Sequence, residues 1–224
     1  MILDKNLFIV TSSLKPNMGV FNDADRFAQT IVSLKSIRKR FPAGFIVFSD
    51  VSLRPVSDLE RETIVRLSDA YIDMSQQQDV RGFSQNNMKS HAENALLFYT
   101  LITLRQNNML KDVKRIFKFS TRSELEVTFD IKEYDNLFGK YVFKKAIPTW
   151  MNNSPDKLFI TRMFSFCTSL LDNYFDVISK NMPLLDKIDT EHAHWLNIPK
   201  EYLVEFDKIH CWGWLAGNGQ IEHY

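Results

Sequence analysis

The chain is short of cysteine, glycine and proline, carries no excess of either charge and has no long apolar run, and each shortage removes a class of protein. Two cysteines, Cys167 and Cys211, are too few for a disulfide framework and lack the paired spacing of a zinc site, so they read as buried thiols. Seven glycines and seven prolines in 224 residues exclude collagen-like, low-complexity and disordered chains. With 28 basic against 27 acidic side chains the formal charge is +1, which gives no global electrostatic reason to expect a nucleic-acid partner. The apolar run at residues 7–10 is too short for a signal peptide and no stretch reaches membrane-spanning length, so a cytoplasmic protein without a membrane span is expected. No G-x-G-x-x-G follows the first strand and no G-K-[ST] occurs, which removes the dinucleotide-dehydrogenase and P-loop readings.

What is present is core material: 45% of residues are hydrophobic and 18 are Phe, enough for one domain over residues 1–224, with no internal repeat and no linker. Residues 7–11 (LFIVT) read as a first strand, followed by a polar loop with Pro16, Asn17 and Gly19. Asn22 caps a helix with Asp23 and Asp25 in its first turn and an apolar face of Phe27, Ile31, Leu34, Ile37 and Phe41. Residues 45–49 (FIVFS) form a second strand, Ser57 and Glu60 a capping box for a second helix, and residues 70–72 a third strand. Residues 76–88 read as a loop, and Ser90 with Glu93 reads as a second capping box opening a buried helix. The βαβαβ rhythm predicts an α/β fold with a mostly parallel central sheet and helices on both faces.

Residues 115–130 (RIFKFSTRSELEVTFD) are the centre of this pattern. Ile116, Phe117 and Phe119 make a buried strand that turns polar at Ser120, Thr121 and Arg122. Ligands of open α/β sheets sit beyond the carboxyl ends of the strands, so this is where one would be held: Arg122 to fork onto a phosphate, Lys118 as a point charge, Ser120 as a hydroxyl donor. The same stretch also reads as a strand ending in a solvated Ser/Thr-rich turn. Further on, residues 141–144 and 159–163 read as strands, residues 148–155 as a loop, residues 168–178 as a helix, residues 209–212 as a strand and residues 217–219 as a turn.

The ordered set RFAQTIxSLxSIR (26–38), SHAE (90–93), IFKFSTR (116–122), TRMFSF (161–166), DTEH (189–192) and GWLAGNG (213–219) resembles a family of small glycosyltransferase-like proteins. These are associated with surface-polysaccharide gene clusters and with phage and related viral genomes. The blocks span nearly the whole chain, and their order carries the resemblance. It implies a GT-A-like, Rossmann-type fold, a nucleoside-diphosphate sugar as donor and a saccharide or other hydroxyl compound as acceptor. The chain departs from the pattern where most GT-A enzymes carry Asp-x-Asp for a divalent metal: here stand Ser120, Thr121 and Arg122, which disfavours a metal cofactor. Thr121 and Ser123 also replace the Gly and Tyr that often flank the matching Arg.

For such a transfer the candidate phosphate ligands are Arg122 and Arg162, each following a short apolar run, with Lys118 either assisting or pairing a structural carboxylate. Arg26 and Gln29, one helical turn apart, either reach the donor or lie on the surface. Asp189 and Glu191, with His192 beside them, are the candidate general-base group; capping of the helix that begins there is the competing account. His192 and His194 with Asp189 are an alternative, less favoured metal-binding set, without a clear third protein ligand at a fixed spacing, and Glu93 is accounted for by its capping box. Trp212, Trp214 and Tyr224 either stack on a ligand or dock the chain end. A catalytically silent sugar- or nucleotide-binding module and a plain interaction protein are the competing classes, separated by a thermal-shift screen with nucleoside diphosphates.

Overall fold

The computed structural model describes residues 6–17, 19–149, 155–215 and 218–224. Gly217 of the expected terminal turn and most of the expected loop at 148–155 lie outside the described residues. In chain order the elements begin β1 (Asn6–Ser12), α1 (Asp23–Arg40), β2 (Phe45–Asp50), α2 (Asp58–Val65), β3 (Ala70–Asp73), α3 (Gln78–Gln85), α4 (Lys89–Gln106), β4 (Arg115–Ser120) and β5 (Ser123–Leu125). They continue with β6 (Tyr141–Lys144), β7 (Ile147–Pro148), β8 (Lys157–Leu158), β9 (Met163–Cys167), α5 (Leu171–Asn181), α6 (Thr190–Asn197), β10 (Leu203–Phe206), β11 (Cys211–Trp214) and β12 (Ile221–His223).

Seven strands form the central sheet in the order β10-β6-β9-β4-β1-β2-β3. β1 pairs in parallel with β2 and with β4, β2 with β3, and β10 with β6; β9 alone in this sheet runs antiparallel, against β4 and β6. The mostly parallel α/β sheet expected from the sequence is therefore the observed one. Side chains alternate across a strand, so Leu7 and Ile9 of β1 enter a core with Leu97, Leu101 and Leu104 of α4 and Tyr174 of α5. Phe8 and Val10 enter the opposite core with Leu34 and Ile37 of α1 and Ile64 of α2. Helices thus cover both faces. Both the Asn22–Asp25 and the Ser57–Glu60 capping boxes form.

Four readings of the sequence need correction. Residues 78–85 within the expected loop are helical, because Gln77 caps them at Val80 and Val80 is buried against Met74, Ala95 and Leu96. Ser90 and Glu93 form no capping box: α4 starts two residues earlier, with Met88 at its cap position and no side-chain cap bond. The strand expected at 159–163 begins only at Met163. Upstream of it the Phe159 N–H donates to the Glu191 carbonyl (3.3 Å) and the Arg162 carbonyl accepts from the Ser120 N–H (2.9 Å), so this segment ties α6 to the end of β4. The strand expected at 209–212 runs two residues later, and β11 lies between β5 and β12 in a separate three-stranded sheet.

Candidate functional site

The sheet order reverses at β1, which sends β2 to one side and β4 to the other, and the crevice of an open α/β sheet lies beyond the carboxyl ends of such a pair. A cleft of about 190 Å³ occupies that place. It is lined by Thr11 and Ser12 at the end of β1 and Ser13 after it, Arg26 of α1, Glu93 of α4, and Ser120 at the end of β4 with Arg122 after it.

Three guanidinium groups gather here. Arg26 is 8% exposed and Gln29 7%, so surface exposure does not account for this pair. The Arg26 guanidinium donates to the Ser13 carbonyl (3.3 Å), to Gln29 Oε1 (3.3 Å) and to Thr121 Oγ1 (3.2 Å), the middle residue of the expected phosphate-binding turn. Arg122 and Arg162 each donate from Nη1 to the Trp214 carbonyl at 3.0 Å, two cations converging on one oxygen. The approach is fixed by β11: the Trp214 N–H donates to the Arg122 carbonyl (2.9 Å), and a Cβ on Gly213 would stand 2.6 Å from that carbonyl oxygen. The arginines repel one another in a partly dry place. Burial, followed by the charge of Arg122, lowers the Arg26 guanidinium to about 9, and burial with the charge of Arg162 lowers Arg122 to about 10.

Two carboxylates and one lysine lie beside them. Lys118, in the middle of β4 and 1% exposed, donates to Glu93 Oε1 at 2.5 Å and to the Thr161 carbonyl at 2.8 Å. The Thr161 hydroxyl in turn donates to Glu191 Oε1 at 3.0 Å, so Glu93, Lys118, Thr161 and Glu191 form one connected chain. Their environments divide the two acids. Burial works to raise the Glu93 carboxyl, but the Lys118 ammonium outweighs it and holds Glu93 down to about 2. Glu191 is raised by burial and then by the neighbouring charges of Glu93 and Asp189. Arg122 feels the charge of both glutamates.

Asp189 and His192 are placed differently. Asp189 is the N-cap of α6, accepting the His192 N–H at 3.0 Å, and its Oδ1 lies 2.6 Å from His192 Nδ1. His192 is fully buried, with Nε2 2.8 Å from Thr149 Oγ1. Both side chains therefore fix the start of the helix that carries Glu191. His194 is held between the Tyr174 hydroxyl (3.1 Å) and the Thr190 carbonyl (2.8 Å), and burial lowers it to about 4. Thr190 also accepts from Asn94 of α4 at 2.7 Å, which locks α6 against α4 and brings Glu191 and Glu93 to the same place.

Glu93 is the site residue the sequence reading passed over. Its S-x-x-E spacing matched a local motif, whereas its partner Lys118 is 25 residues away in a strand. A charged residue flanked by Phe117 and Phe119 inside a buried strand was the available signal, since a buried lysine needs a carboxylate. Among the described residues no group of three His, Cys, Asp or Glu is arranged to hold a metal ion. A divalent ion on a diphosphate takes oxygen ligands, mostly carboxylates, and the end of β4 presents Ser120, Thr121 and a guanidinium. The described residues at this end of the sheet do not fit that ion.

No protein-family model matches the sequence, and no curated protein matches it. Solved structures do match in fold. A mannosyltransferase from S. cerevisiae superposes with a TM-score of 0.56 at 9% identity, covering 91% of this chain and 69% of that one. Core-mannan synthase A from Aspergillus fumigatus, in a Mn/GDP form, gives 0.54 at 8% identity, with 91% and 73% covered. The galactosyltransferase LgtC, in complex with donor and acceptor sugar analogues, gives 0.53 at 11% identity, with 89% and 72% covered. The fold is the GT-A-like α/β fold of these proteins.

Proposed function

We propose that this protein is a glycosyltransferase that moves a sugar from a nucleoside-diphosphate donor to a hydroxyl of a saccharide or similar acceptor. The observation that carries the reading is the convergence of Arg26, Arg122 and Arg162 at the carboxyl ends of β1 and β4, next to a cleft, in a fold shared with glycosyltransferases. Breaking the bond between the sugar and the diphosphate leaves negative charge on the phosphates, and preoriented cations in a partly dry site stabilise that charge as it develops. Arg122 and Arg162 fork onto the diphosphate, Arg26 adds charge, Gln29 holds Arg26 and Ser120 donates a hydroxyl hydrogen bond. No step is assigned to a metal.

The acceptor hydroxyl must lose its proton as it attacks. Glu191 takes that proton, since a carboxylate whose affinity for protons has been raised is the better base near neutral pH. Glu93, held ionised by Lys118, keeps the electrostatic field on Glu191. Asp189 and His192 act as positioning residues at the start of α6.

Incubation with a panel of nucleoside-diphosphate sugars, scored for nucleoside diphosphate released, tests the reading. Slow donor hydrolysis with one or two donors, accelerated by an acceptor saccharide, is the expected result. Tight donor binding with no turnover would reassign the chain as a silent binding module, and no binding at all would end the reading.

A further inference from the structure

A second cleft, of about 340 Å³, lies on the small sheet away from the first. It is lined by Lys39 and Arg40 at the end of α1, Glu124 and Glu126, Trp212 of β11 and His223 of β12. Pairing puts Glu124, Trp212 and His223 side by side on one face of the sheet, with Trp214 and Ile221 next along it. Trp212 and Trp214 meet edge to face, with ring centroids 4.6 Å apart, and both are half-buried. The side chains of Lys39, Arg40 and Glu124 have no ion pair or hydrogen bond among the described residues, nor does either indole N–H. From Arg26 to Arg40 the helix rises roughly 20 Å at about 1.5 Å per residue, so the Arg40 end of this cleft is remote from Arg26. β11 joins the two, because Trp214 gives its carbonyl to Arg122 and Arg162 and sets its ring edge to face against Trp212.

We infer that the Trp214–Trp212 face and the cleft beyond it bind a neutral oligosaccharide, the part of a longer acceptor that does not react. The inference rests on the transferase reading of the arginine site. The C–H faces of a pyranose are apolar and lie flat on indole rings, while its hydroxyls need donors and acceptors around the rim. The cleft and the strand beside it offer that combination: Trp212 in the cleft lining and Trp214 next along β11, with Glu124, Arg40, Lys39 and both indole N–H groups free to bond. Its charges also select the ligand. Lys39 and Arg40 offset Glu124 and Glu126, and Glu126 Oε1 is engaged by His223 Nδ1 at 2.7 Å, so the surface has no field for a polyanion. The arginine site, with three cations, does. Continuity along β11 sets the direction, leading from the cleft over Trp212 and Trp214 to the groups that would hold the donor.

Titration of the whole chain with a panel of neutral gluco-, galacto- and manno-configured tetrasaccharides, a sulfated tetrasaccharide and a nucleoside diphosphate tests this. At least one neutral tetrasaccharide should bind, more tightly than its monosaccharide. Trp212→Ala should weaken it at least tenfold and Glu124→Gln several-fold, with nucleoside-diphosphate affinity within twofold of wild type in both. Glu124→Gln keeps the size of a half-exposed side chain, so it reads the site even where Trp212→Ala fails to fold. The inference is overturned if no neutral tetrasaccharide binds, if the sulfated one binds more tightly, or if neither variant weakens binding. Saccharide binding without nucleoside-diphosphate binding would instead overturn the donor-site reading and leave this surface as a saccharide site.

Discussion

The Glu93 carboxylate lies 2.5 Å from the Lys118 ammonium, joining the first turns of α4 to the middle of β4 directly beside the arginine cluster. Lys118 is 1% exposed, so it depends on this partner. Removing one member of a buried ion pair leaves the other uncompensated and costs about 3–5 kcal/mol, whereas replacing both removes the unpaired charge. Glu93→Gln, which strands the buried ammonium, should lower unfolding stability by about that amount, Lys118→Met by less because the Glu93 side chain is 29% exposed, and the double variant should recover part of the Glu93→Gln loss. Chemical denaturation of the four proteins checks this.

The same pair makes stability depend on acid. Glu93 is depressed in the folded chain from the ordinary 4.5 to about 2, so the unfolded chain binds its proton first as pH falls. Its contribution is fully present above about 4.5 and is lost between there and about 2. Thermal unfolding followed from neutral pH down to pH 3 should show a steeper loss for wild type than for the double variant.

Glu191 is raised by burial and by the charges of Glu93 and Asp189, the opposite of Glu93. If it is the base, transfer requires its ionised form, so kcat/KM should rise with pH along a limb displaced above the range of an ordinary glutamate. Glu191→Gln should lower kcat by about 10²–10⁴-fold, the usual worth of a general base, with nucleoside-diphosphate affinity unchanged. Equal loss of turnover and donor affinity would assign Glu191 to donor binding instead.

Gly213 allows β11 to approach the Arg122 carbonyl. An added Cβ would stand 2.6 Å from that oxygen and 2.8 Å from Ser123 Oγ, so Gly213→Ala must push β11 away from β5 and shift the Trp214 carbonyl on which Arg122 and Arg162 converge. Overpacking of this kind costs about 1–3 kcal/mol. Nucleoside-diphosphate affinity should fall with it, and calorimetric titration of the variant measures that.

Local signals carried the sheet and the first half of the chain. Apolar β-branched runs marked β1 and β2, and the Asn22 and Ser57 capping boxes marked α1 and α2, because each depends on residues a few positions apart. Arg122 was legible as a polar burst at a strand end. Several of the misreadings share one cause, which is a partner distant in sequence. Glu93 satisfied a local spacing rule, but the buried ammonium of Lys118 claims it. Arg26 and Gln29 look like surface residues on a helical wheel until Thr121 and the segment after β1 close over them. The polar face of α1 is likewise buried, since Ser33 donates to the Ser123 carbonyl and Ser36 accepts from the Leu125 N–H at 3.1 Å. Residues 159–162 have strand-like composition, yet their backbone bonds go to Glu191 and Ser120.

The central claim is that fixed arginines, in place of a divalent metal, hold the donor diphosphate. Arg26 and Arg122 lie below their ordinary values first through burial and then because the cations crowd one another, and a bound diphosphate relieves that crowding. The direct measurement is calorimetric titration with a nucleoside diphosphate, with and without EDTA, on wild type, Arg122→Lys and Arg122→Ala. The account predicts wild-type affinity unchanged by EDTA and a loss of about 1.5–3 kcal/mol in both variants, the worth of a charge-assisted hydrogen bond, since lysine keeps the charge but not the fork. Binding that EDTA abolishes and Arg122→Ala leaves intact would contradict it.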